Sequence, residues 1–307
     1  MLKAHLPRVL NLDDSVASRS AASRGAAGAA ALPALSSLEH AQVRDLRALA
    51  PELRYLCSRA ALRRFREALS PADRSRLTFY GSGDFHHLTA ELLRAFTSPL
   101  SLIVFDQHPD WDCTLPWPCC GSWVNSALQL EHIRRVVVIG LGREDLHGWN
   151  LLRGNTRALR EGRLELYPAS WRISREPRGY RRFQTVRSQG MSALLSQVLA
   201  RLPTRQVYVS VDKDCLGSAW AASNWAEGEL ELPELLGAIA QIGAARDIVG
   251  ADVTGEWSPG EPRSPLFRAI SRADHPKILF PNFAQLRANA GTNRALQAAF
   301  AAATSSS

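Results

Sequence analysis

Short apolar runs rich in β-branched residues alternate with helix-forming stretches along most of this chain of 307 residues. Several runs are continuously apolar, such as SLIVF, VVVIG and VYVSV. Strands buried on both faces of a parallel sheet have this pattern, and strands that alternate with helices are typical of α/β folds. The predicted strands are Arg8–Leu12, Leu77–Tyr80, Ser101–Phe105, Arg135–Ile139, Arg163–Tyr167, Val207–Val211, Ile248–Val253 and Ile278–Phe280.

Helices are predicted between these strands, at Leu38–Leu49, Ser58–Leu69, Leu88–Phe96, Ser122–Leu130, Met191–Leu202, Pro233–Ile242 and Asn293–Ala302. Residues 18–37 are rich in Ala, Ser and Gly and are expected to form a loop, and residues 303–307 are expected to fray. We find no internal repeat and no linker. The sequence therefore predicts one α/β domain over residues 1–307.

Composition narrows the function classes. Hydrophobic residues make up 46% of the chain, too many for a disordered protein, and five Cys are too few for a disulfide scaffold. The net charge is +8, but the Arg residues are scattered and no recognition motif accompanies them, so no nucleic-acid partner is predicted. No run of apolar residues is long enough for a membrane span. Without a signal-peptide pattern, the expected location is the reducing cytoplasm.

Acidic and imidazole side chains follow three predicted strands at the point where each strand ends. DQHPD follows SLIVF, DKD follows VYVSV, and GSGDFHH follows LTFY. Parallel strands present their carboxyl ends at one edge of a sheet, and alternate side chains of an extended segment point the same way. We therefore expect a convergent cluster of Asp106, His108, Asp110, Asp212 and Asp214.

The charge of this cluster indicates metal binding. Neighbouring carboxylates repel each other and stay ionised together only if cations neutralise them. The four Asp charges match two divalent ions. Carboxylate and imidazole ligands without thiolate favour a manganese-like ion over a structural zinc, and two such ions can activate a water molecule for hydrolysis. We predict two divalent ions, with manganese first and nickel or another metal as alternatives.

Taken together and in order, the three motifs resemble those of the ureohydrolases, the family of arginase, agmatinase and formiminoglutamase. The family's GGDHS-type turn, its Asp-Ala-His-any-Asp motif and its Ser-any-Asp-any-Asp motif have counterparts in GSGDFHHLT, DQHPD and SVDKD. The resemblance implies a three-layer α/β/α fold with a mostly parallel sheet and a binuclear manganese centre. It implies one ion held by His86 and Asp110, another held by His108 and Asp214, and bridging carboxylates from Asp106 and Asp212.

One ligand position has two candidates. Phe85 stands between Asp84 and His86, where the family's turn has no such residue. His87 therefore remains an alternative to His86.

The resemblance also implies the chemistry, which is hydrolysis of a C–N bond in a small cationic guanidino or amidino compound, with Asp110 orienting the attacking hydroxide. Cys120 stands where agmatinase-type members have a His that assists proton transfer, and Glu256 corresponds to a Glu that contacts the guanidinium group. Six of the eight Trp follow the motifs, which predicts an aromatic-walled pocket with Trp123 and Trp225 as walls. Because the surrounding loops depart from the family pattern, free arginine is not predicted to be the best substrate.

Two other interpretations remain open. The first is a formiminoglutamase-like or deacetylase-like hydrolase that cleaves a formimino or amide C–N bond. The second is a non-catalytic family member that binds metal and a ligand or partner, its proton-transfer His replaced by Cys120. Relatives are commonly oligomers, so the resemblance further implies a homo-oligomer.

Overall fold

A computed structural model describes residues 6–16, 38, 40–69, 77–142, 146, 148–170, 184–275 and 281–305. Eight strands of this part of the chain form one sheet, β1 (Arg8–Asn11), β2 (Gln42–Asp45), β3 (Leu77–Tyr80), β4 (Leu100–Phe105), β5 (Ile133–Leu141), β6 (Leu164–Pro168), β7 (Gln206–Asp212) and β8 (Asp247–Thr254). Their order is β2-β1-β3-β8-β7-β4-β5-β6, and each pairing is parallel. The predicted parallel sheet is confirmed.

The connections between the strands contain the helices α1 (Ala50–Leu53), α2 (Arg59–Ala68), α3 (Leu88–Leu93), α4 (Trp123–Leu128), α5 (Gly148–Arg153), α6 (Thr156–Arg160), α7 (Val186–Gln189), α8 (Met191–Arg201), α9 (Leu232–Ala245), α10 (Pro265–Asp274) and α11 (Phe283–Ser305). Five of them, α2, α3, α4, α8 and α9, lie where the sequence predicts helices. The last helix extends well beyond the predicted Asn293–Ala302, and α10 was not predicted.

Both faces of the sheet are covered, as the continuous apolar strands predict. In β4, Leu102 and Val104 pack into a core with Trp123 and Val124 of α4. The alternate residues of the same strand belong to the core on the opposite face, with apolar side chains of α8, α9 and α11. Since successive side chains of a strand point to opposite faces, this alternation produces the three-layer α/β/α architecture.

The predicted helix Leu38–Leu49 is wrong. Residues Gln42–Asp45 form β2, a strand that pairs in parallel with β1 at the edge of the sheet. Its side chains are largely exposed, so the strand has no apolar pattern of its own. Backbone hydrogen bonds to β1 define it instead.

Some predictions fall at the limits of the described residues. The strand Ile278–Phe280 and the tract 18–37 lie outside them. The expected frayed tail is helical as far as Ser305, the end of α11. Within the described part of the chain, none of the helices combines the length and the apolar character needed to cross a lipid bilayer.

Candidate metal centre and active-site cavity

The three motif-bearing strands end at the same edge of the sheet. β4 and β7 are direct neighbours, and β8 separates β7 from β3. Asp106 follows the last residue of β4, Asp212 is the last residue of β7, and a short 3₁₀ turn, Gly83–Phe85, follows β3. Because all strands are parallel, their carboxyl ends place these residues on one side of the molecule.

The side chains at this edge form two groups with metal-binding geometry. The first consists of His86, Asp106 and Asp110, and the second of Asp106, His108 and Asp214. In each group the ligand atoms lie within 4.8 Å of one another. Asp106 belongs to both groups, as a bridging ligand would.

The remaining predicted ligand lies beside the first group. Oδ2 of Asp212 is 3.4 Å from Nδ1 of His86. The structure thus brings together all six side chains that the resemblance implies as ligands. Four of them are Asp residues buried among one another.

Backbone hydrogen bonds orient three of the carboxylates. Asp106 Oδ1 accepts from the N–H of His108 at 2.6 Å, Asp212 Oδ1 accepts from the N–H of Asp214 at 3.1 Å, and Asp214 Oδ1 accepts from the N–H of Gln107 at 3.2 Å. The second oxygen of each carboxylate lies close to an imidazole, 3.1 Å for Asp106 with His86 and 2.9 Å for Asp214 with His108. One oxygen of each Asp therefore accepts a backbone hydrogen bond, within its own turn for Asp106 and Asp212 and from the end of the neighbouring strand for Asp214, and the other faces the cluster.

A buried polar chain orients His86. Its Nε2 lies 2.9 Å from Oγ of Ser210, which donates to Oδ1 of Asp252 at 2.7 Å. Tyr208 donates its hydroxyl to the other oxygen of Asp252 at 2.7 Å. Since the Ser210 proton is committed to Asp252, Oγ accepts from Nε2–H, and the lone pair of the neutral imidazole lies on Nδ1, toward the cluster.

The residues fit a bound cation. His86 Nδ1 and Asp106 Oδ2 are buried 3.1 Å apart, and neither has a hydrogen-bond partner among the described residues. Two lone pairs that face each other at this distance repel unless a cation lies between or beside them. Burial lowers the pKa of His86, but the carboxylates of Asp106, Asp110 and Asp212 raise it well above its usual range. The cluster therefore requires positive charge, which two divalent ions would supply.

The carboxylates show the same requirement. Burial, followed by the charge of Asp106, raises the pKa of Asp110 to about 7. Burial and neighbouring Asp charges also raise the pKa of Asp212 and of Asp214. For Asp106 burial acts in the same direction, but the neighbouring imidazoles of His108 and His86 hold its pKa below the usual value. Cations at this position would keep all four carboxylates ionised.

His87 lies apart from the cluster. Its Nε2 is 3.5 Å from Sγ of Cys57. Burial, and then the charge of His86, lower the pKa of His87 to about 3. The structure thus places His86 in the cluster and His87 against the core behind it.

Asp110 is held in an uncommon conformation. Its φ is +46°, in the left-handed region, and its Oδ2 accepts from Trp123 Nε1 at 2.5 Å. The Trp123 ring also packs on His86, with 4.6 Å between ring centroids. Trp123 is fully buried behind the cluster, so it positions two ligands and does not form the predicted cavity wall.

A cavity of about 810 Å³ opens over the cluster. Its walls include the metal-site residues together with Tyr55, Cys119, Cys120, Trp111, Trp225, Arg153 and Asp274. Cys120 therefore lies where the sequence analysis expects a catalytic group. Burial, followed by the charges of Cys119 and Asp110, raises the pKa of its thiol well above the usual value, so it is a weak hydrogen-bond donor and not a base near neutral pH.

Glu256 does not line the cavity. Its Oε1 accepts from Lys213 Nζ at 2.5 Å and from Asn293 Nδ2 at 2.6 Å, and the carboxylate is only 5% exposed. The prediction that Glu256 contacts a guanidinium group therefore needs correction, because a buried ammonium already occupies its carboxylate.

Two glycines leave room for Asp212. A Cβ on Gly83 would lie 2.8 Å from Asp212 Oδ2, and a Cβ on Gly255, whose φ is +89°, would lie 2.2 Å from Asp212 Oδ1. Both separations are below ordinary contact. The backbones of two loops thus approach Asp212 from both sides.

Several residues of the site were missed by the sequence analysis. For Ser210 and Asp252 a signal exists, because each is a polar residue inside an otherwise apolar strand, and both are fully buried. For Lys213 the signal is a basic residue that stands in the sequence between two predicted ligands, Asp212 and Asp214. Tyr55 and Asp274 carry no such signal, since only the fold brings them to the cavity.

The comparisons with known proteins agree with this architecture. The model of the Arginase family matches residues 17–261. An uncharacterized protein of Thermotoga maritima is 30% identical over 186 residues, a match that covers 60% of this chain and 60% of that relative.

Solved structures share the fold. Agmatine ureohydrolase of Thermoplasma volcanium superposes with a TM-score of 0.53 and 15% identity, covering 98% of this chain and 91% of that one. A formiminoglutamase of Trypanosoma cruzi with Mn²⁺ superposes with a TM-score of 0.54 and 16% identity, covering 96% and 93%. The family match spans most of the chain. The chain belongs to the arginase family, as its motifs indicate.

Proposed function

We propose that this protein is a binuclear metal-dependent hydrolase that cleaves a non-peptide C–N bond of a small guanidino or amidino compound. The observation that carries the proposal is the pair of metal-binding groups that share Asp106. A shared carboxylate is the feature that two adjacent ions need, and one ion would leave part of the cluster's negative charge unbalanced.

Manganese is the proposed metal, since the ligands are carboxylates and imidazoles without a thiolate. The formiminoglutamase of similar fold was solved with Mn²⁺. The proposed location is the cytoplasm, because the five cysteines are free and a reducing compartment suits them.

Two of the chain's own residues, Asp110 and Cys120, have proposed catalytic roles. When bound, the two ions supply Lewis-acid activation of a water molecule. Asp110 lines the cavity with its Oδ2 fixed by Trp123, and it orients the attacking water and accepts its proton. Cys120 lies on the same wall, where its neutral thiol donates a weak hydrogen bond to the substrate or the leaving group.

The cavity walls favour an organic cation. Trp225 stands over the cluster with its ring 5.4 Å from the His108 ring, and Tyr55 lies beside it. Aromatic faces attract a cation. A small guanidino or amidino compound is therefore the proposed substrate class.

A second candidate function is hydrolysis of a formimino or amide bond. The ion pair between Lys213 and Glu256 favours it, because it removes the free carboxylate that would bind a guanidinium group beside the metals. With two divalent ions and four Asp, the centre has no excess negative charge for a cationic head group. A neutral scissile group meets no such penalty.

One assay separates these candidates. Purified protein is loaded with Mn²⁺, its metal content is determined, and release of urea, ammonia and free amine is measured over matched guanidino, formimino and N-acetyl compounds. The proposal predicts two ions per chain and turnover of guanidino or amidino compounds. Turnover of formimino or N-acetyl compounds without turnover of guanidino compounds would support the second candidate instead. Metal binding without any turnover would indicate a non-catalytic family member.

A further inference from the structure

The carboxyl end of α10 forms one wall of the cavity. Ile270, Ala273 and Asp274 line it, opposite the strand ends that carry the metal cluster. Asp274 is the last residue of the helix, and its side chain is exposed to the cavity. No part of the proposed mechanism uses this carboxylate.

Tyr55 fixes the position of that carboxylate. Its hydroxyl donates to Asp274 Oδ2 at 2.6 Å. The Tyr55 backbone is held on both sides, since its N–H donates to the carbonyl of Asp84 at 2.9 Å and its carbonyl accepts from the N–H of Cys120 at 3.1 Å. Its φ of +64° is uncommon for a bulky residue, so the surrounding contacts hold it in place.

Trp225 connects this carboxylate to the metal cluster. One of its neighbours is His108, at 5.4 Å between ring centroids, and another is His275, at 4.3 Å with an interplanar angle of 31°. Tyr55 is 6.1 Å away and nearly parallel. A substrate whose reacting end lies at the metals can therefore extend along the Trp225 ring and past Tyr55 toward the Asp274 carboxylate.

The nearby basic groups form their ion pairs with other carboxylates. Arg54 pairs with Asp13 and Asp84, and His275 pairs with Asp84 while also interacting with Asp274 through charge. No described Lys or Arg forms an ion pair with Asp274. A carboxylate at a helix carboxyl end is also electrostatically unfavourable, because the helix dipole is negative there. Both effects make this corner of the cavity attractive to a cation.

We propose that Asp274, Tyr55 and Trp225 form a subsite for an ammonium or guanidinium group at the distal end of the substrate. Asp274 accepts hydrogen bonds from the cation while Tyr55 holds the carboxylate, and Trp225 presents its face to the spacer and the charge. This inference rests on the proposed function, in that it assigns the far end of the molecule whose near end is cleaved at the metals. It predicts specificity for substrates with a positive tail.

Binding of inert probes tests the subsite apart from catalysis. The probes are 1-aminobutane and 1-butanol, which share a four-carbon chain and differ in whether the terminal group is an ammonium or a neutral hydroxyl. Titration calorimetry is done on Mn²⁺-loaded wild-type protein and on Asp274→Asn, Tyr55→Phe and Asp247→Asn. The last variant is the control, because Asp247 pairs with Arg205 at the start of β8, at the opposite edge of the sheet.

We expect wild-type protein to bind 1-aminobutane about tenfold or more tightly than 1-butanol, because only the ammonium makes a charge-assisted hydrogen bond to Asp274 and a cation–π contact with Trp225. Asp274→Asn should remove most of this preference, Tyr55→Phe part of it, and Asp247→Asn none. Equal affinity for the probes in wild type, no binding of any probe, or an undiminished preference in Asp274→Asn would overturn the subsite. A preserved preference in a protein that hydrolyses no C–N bond would instead overturn the proposed function and leave the subsite standing.

Discussion

Lys213 Nζ lies 2.5 Å from Glu256 Oε1, in an ion pair that is almost fully buried. Lys213 stands between Asp212 and Asp214, so its side chain leaves the metal edge of β7 and enters the core, where Asn293 also contacts it at 3.0 Å. Burial lowers the pKa of Lys213, and the charge of Glu256 opposes that effect. Glu256 is thereby committed to the protein interior and is not free to bind a substrate cation.

Removing one partner of this ion pair should lower the free energy of unfolding. Lys213→Met leaves Glu256 buried without its cation, and we expect a loss of about 3–5 kcal/mol in the free energy of unfolding. The double variant Lys213→Met/Glu256→Gln should recover a large part of it. Urea unfolding in the presence of a chelator measures both.

The control for this experiment is Arg157→Ala, which removes an exposed pair with Glu161 and should cause no measurable loss. A double variant as unstable as Lys213→Met would contradict the interpretation, because the cost would then come from packing.

The polar chain behind His86 should control metal affinity. Ser210→Ala removes the oxygen that accepts from His86 Nε2–H, and Asp252→Asn removes the carboxylate that orients the Ser210 hydroxyl. In both variants the His86 tautomer with the Nδ1 lone pair toward the cluster is no longer enforced. We expect a loss of about 10–100-fold in Mn²⁺ affinity. Competition with a fluorescent chelator measures it.

Ser101→Ala is the matched control, since Ser101 is buried in β4 and bonds Thr204 at 2.8 Å, near the opposite end of the strand from Asp106. Unchanged affinity in both Ser210→Ala and Asp252→Asn would show that the ring is held by packing alone.

The close approach at Asp212 makes Gly83 sensitive to substitution. In Gly83→Ala the new Cβ would lie 2.8 Å from Asp212 Oδ2 and 3.3 Å from Trp225 Cδ1, so one of these side chains must move. We expect weaker Mn²⁺ binding, measured as above, with the fold retained by circular dichroism. Gly237→Ala is the control, because its Cβ meets nothing within 4 Å and lies in α9, where Ala should add about 0.5–1 kcal/mol of stability. Equal metal affinity in the two variants would refute the prediction.

The network around Asp84 should make stability depend on pH. Burial raises the pKa of Asp84, but hydrogen bonds and charge from His275 and Arg54 lower it from 3.8 to about 2. Because the folded-state pKa lies below the unfolded value, ionised Asp84 contributes about 2 kcal/mol above the unfolded pKa, and this contribution is lost as the pH falls toward 2.

In chelator-treated protein, the stability difference between wild type and Asp84→Asn should therefore shrink as the pH falls from about 5 to about 3. A difference that stays constant over this range would mean that the pKa of Asp84 is not depressed. Asp247→Asn provides the surface comparison, since Asp247 is partly exposed.

The clustering of the candidate ligands could be predicted from sequence because the pattern that places them is local. Asp106 and Asp212 directly follow apolar strands, and turns two residues long then fix His108 and Asp214. The strand ends of a parallel sheet share one edge, so no long-range contact has to be guessed to bring these motifs together.

The rest of the site depends on contacts between distant segments. Glu256 looks like a substrate contact until the fold pairs it with Lys213, and Trp123 looks like a wall until its indole is found bonded to Asp110. Ser264 precedes α10 and caps it, but Ser271 is the one side chain of the helix that is buried. The role of α10 at the cavity follows from the contact between Tyr55 and Asp274, which are far apart in the chain.

The most direct measurement is anomalous diffraction at the manganese edge from crystals grown with Mn²⁺. We expect two anomalous peaks per chain, about 3.5–4 Å apart, with the Asp106 carboxylate between them, one peak beside His86 and the other beside His108. A single peak, peaks away from Asp106, or no peak at saturating Mn²⁺ would contradict the binuclear centre and the hydrolase proposed from it.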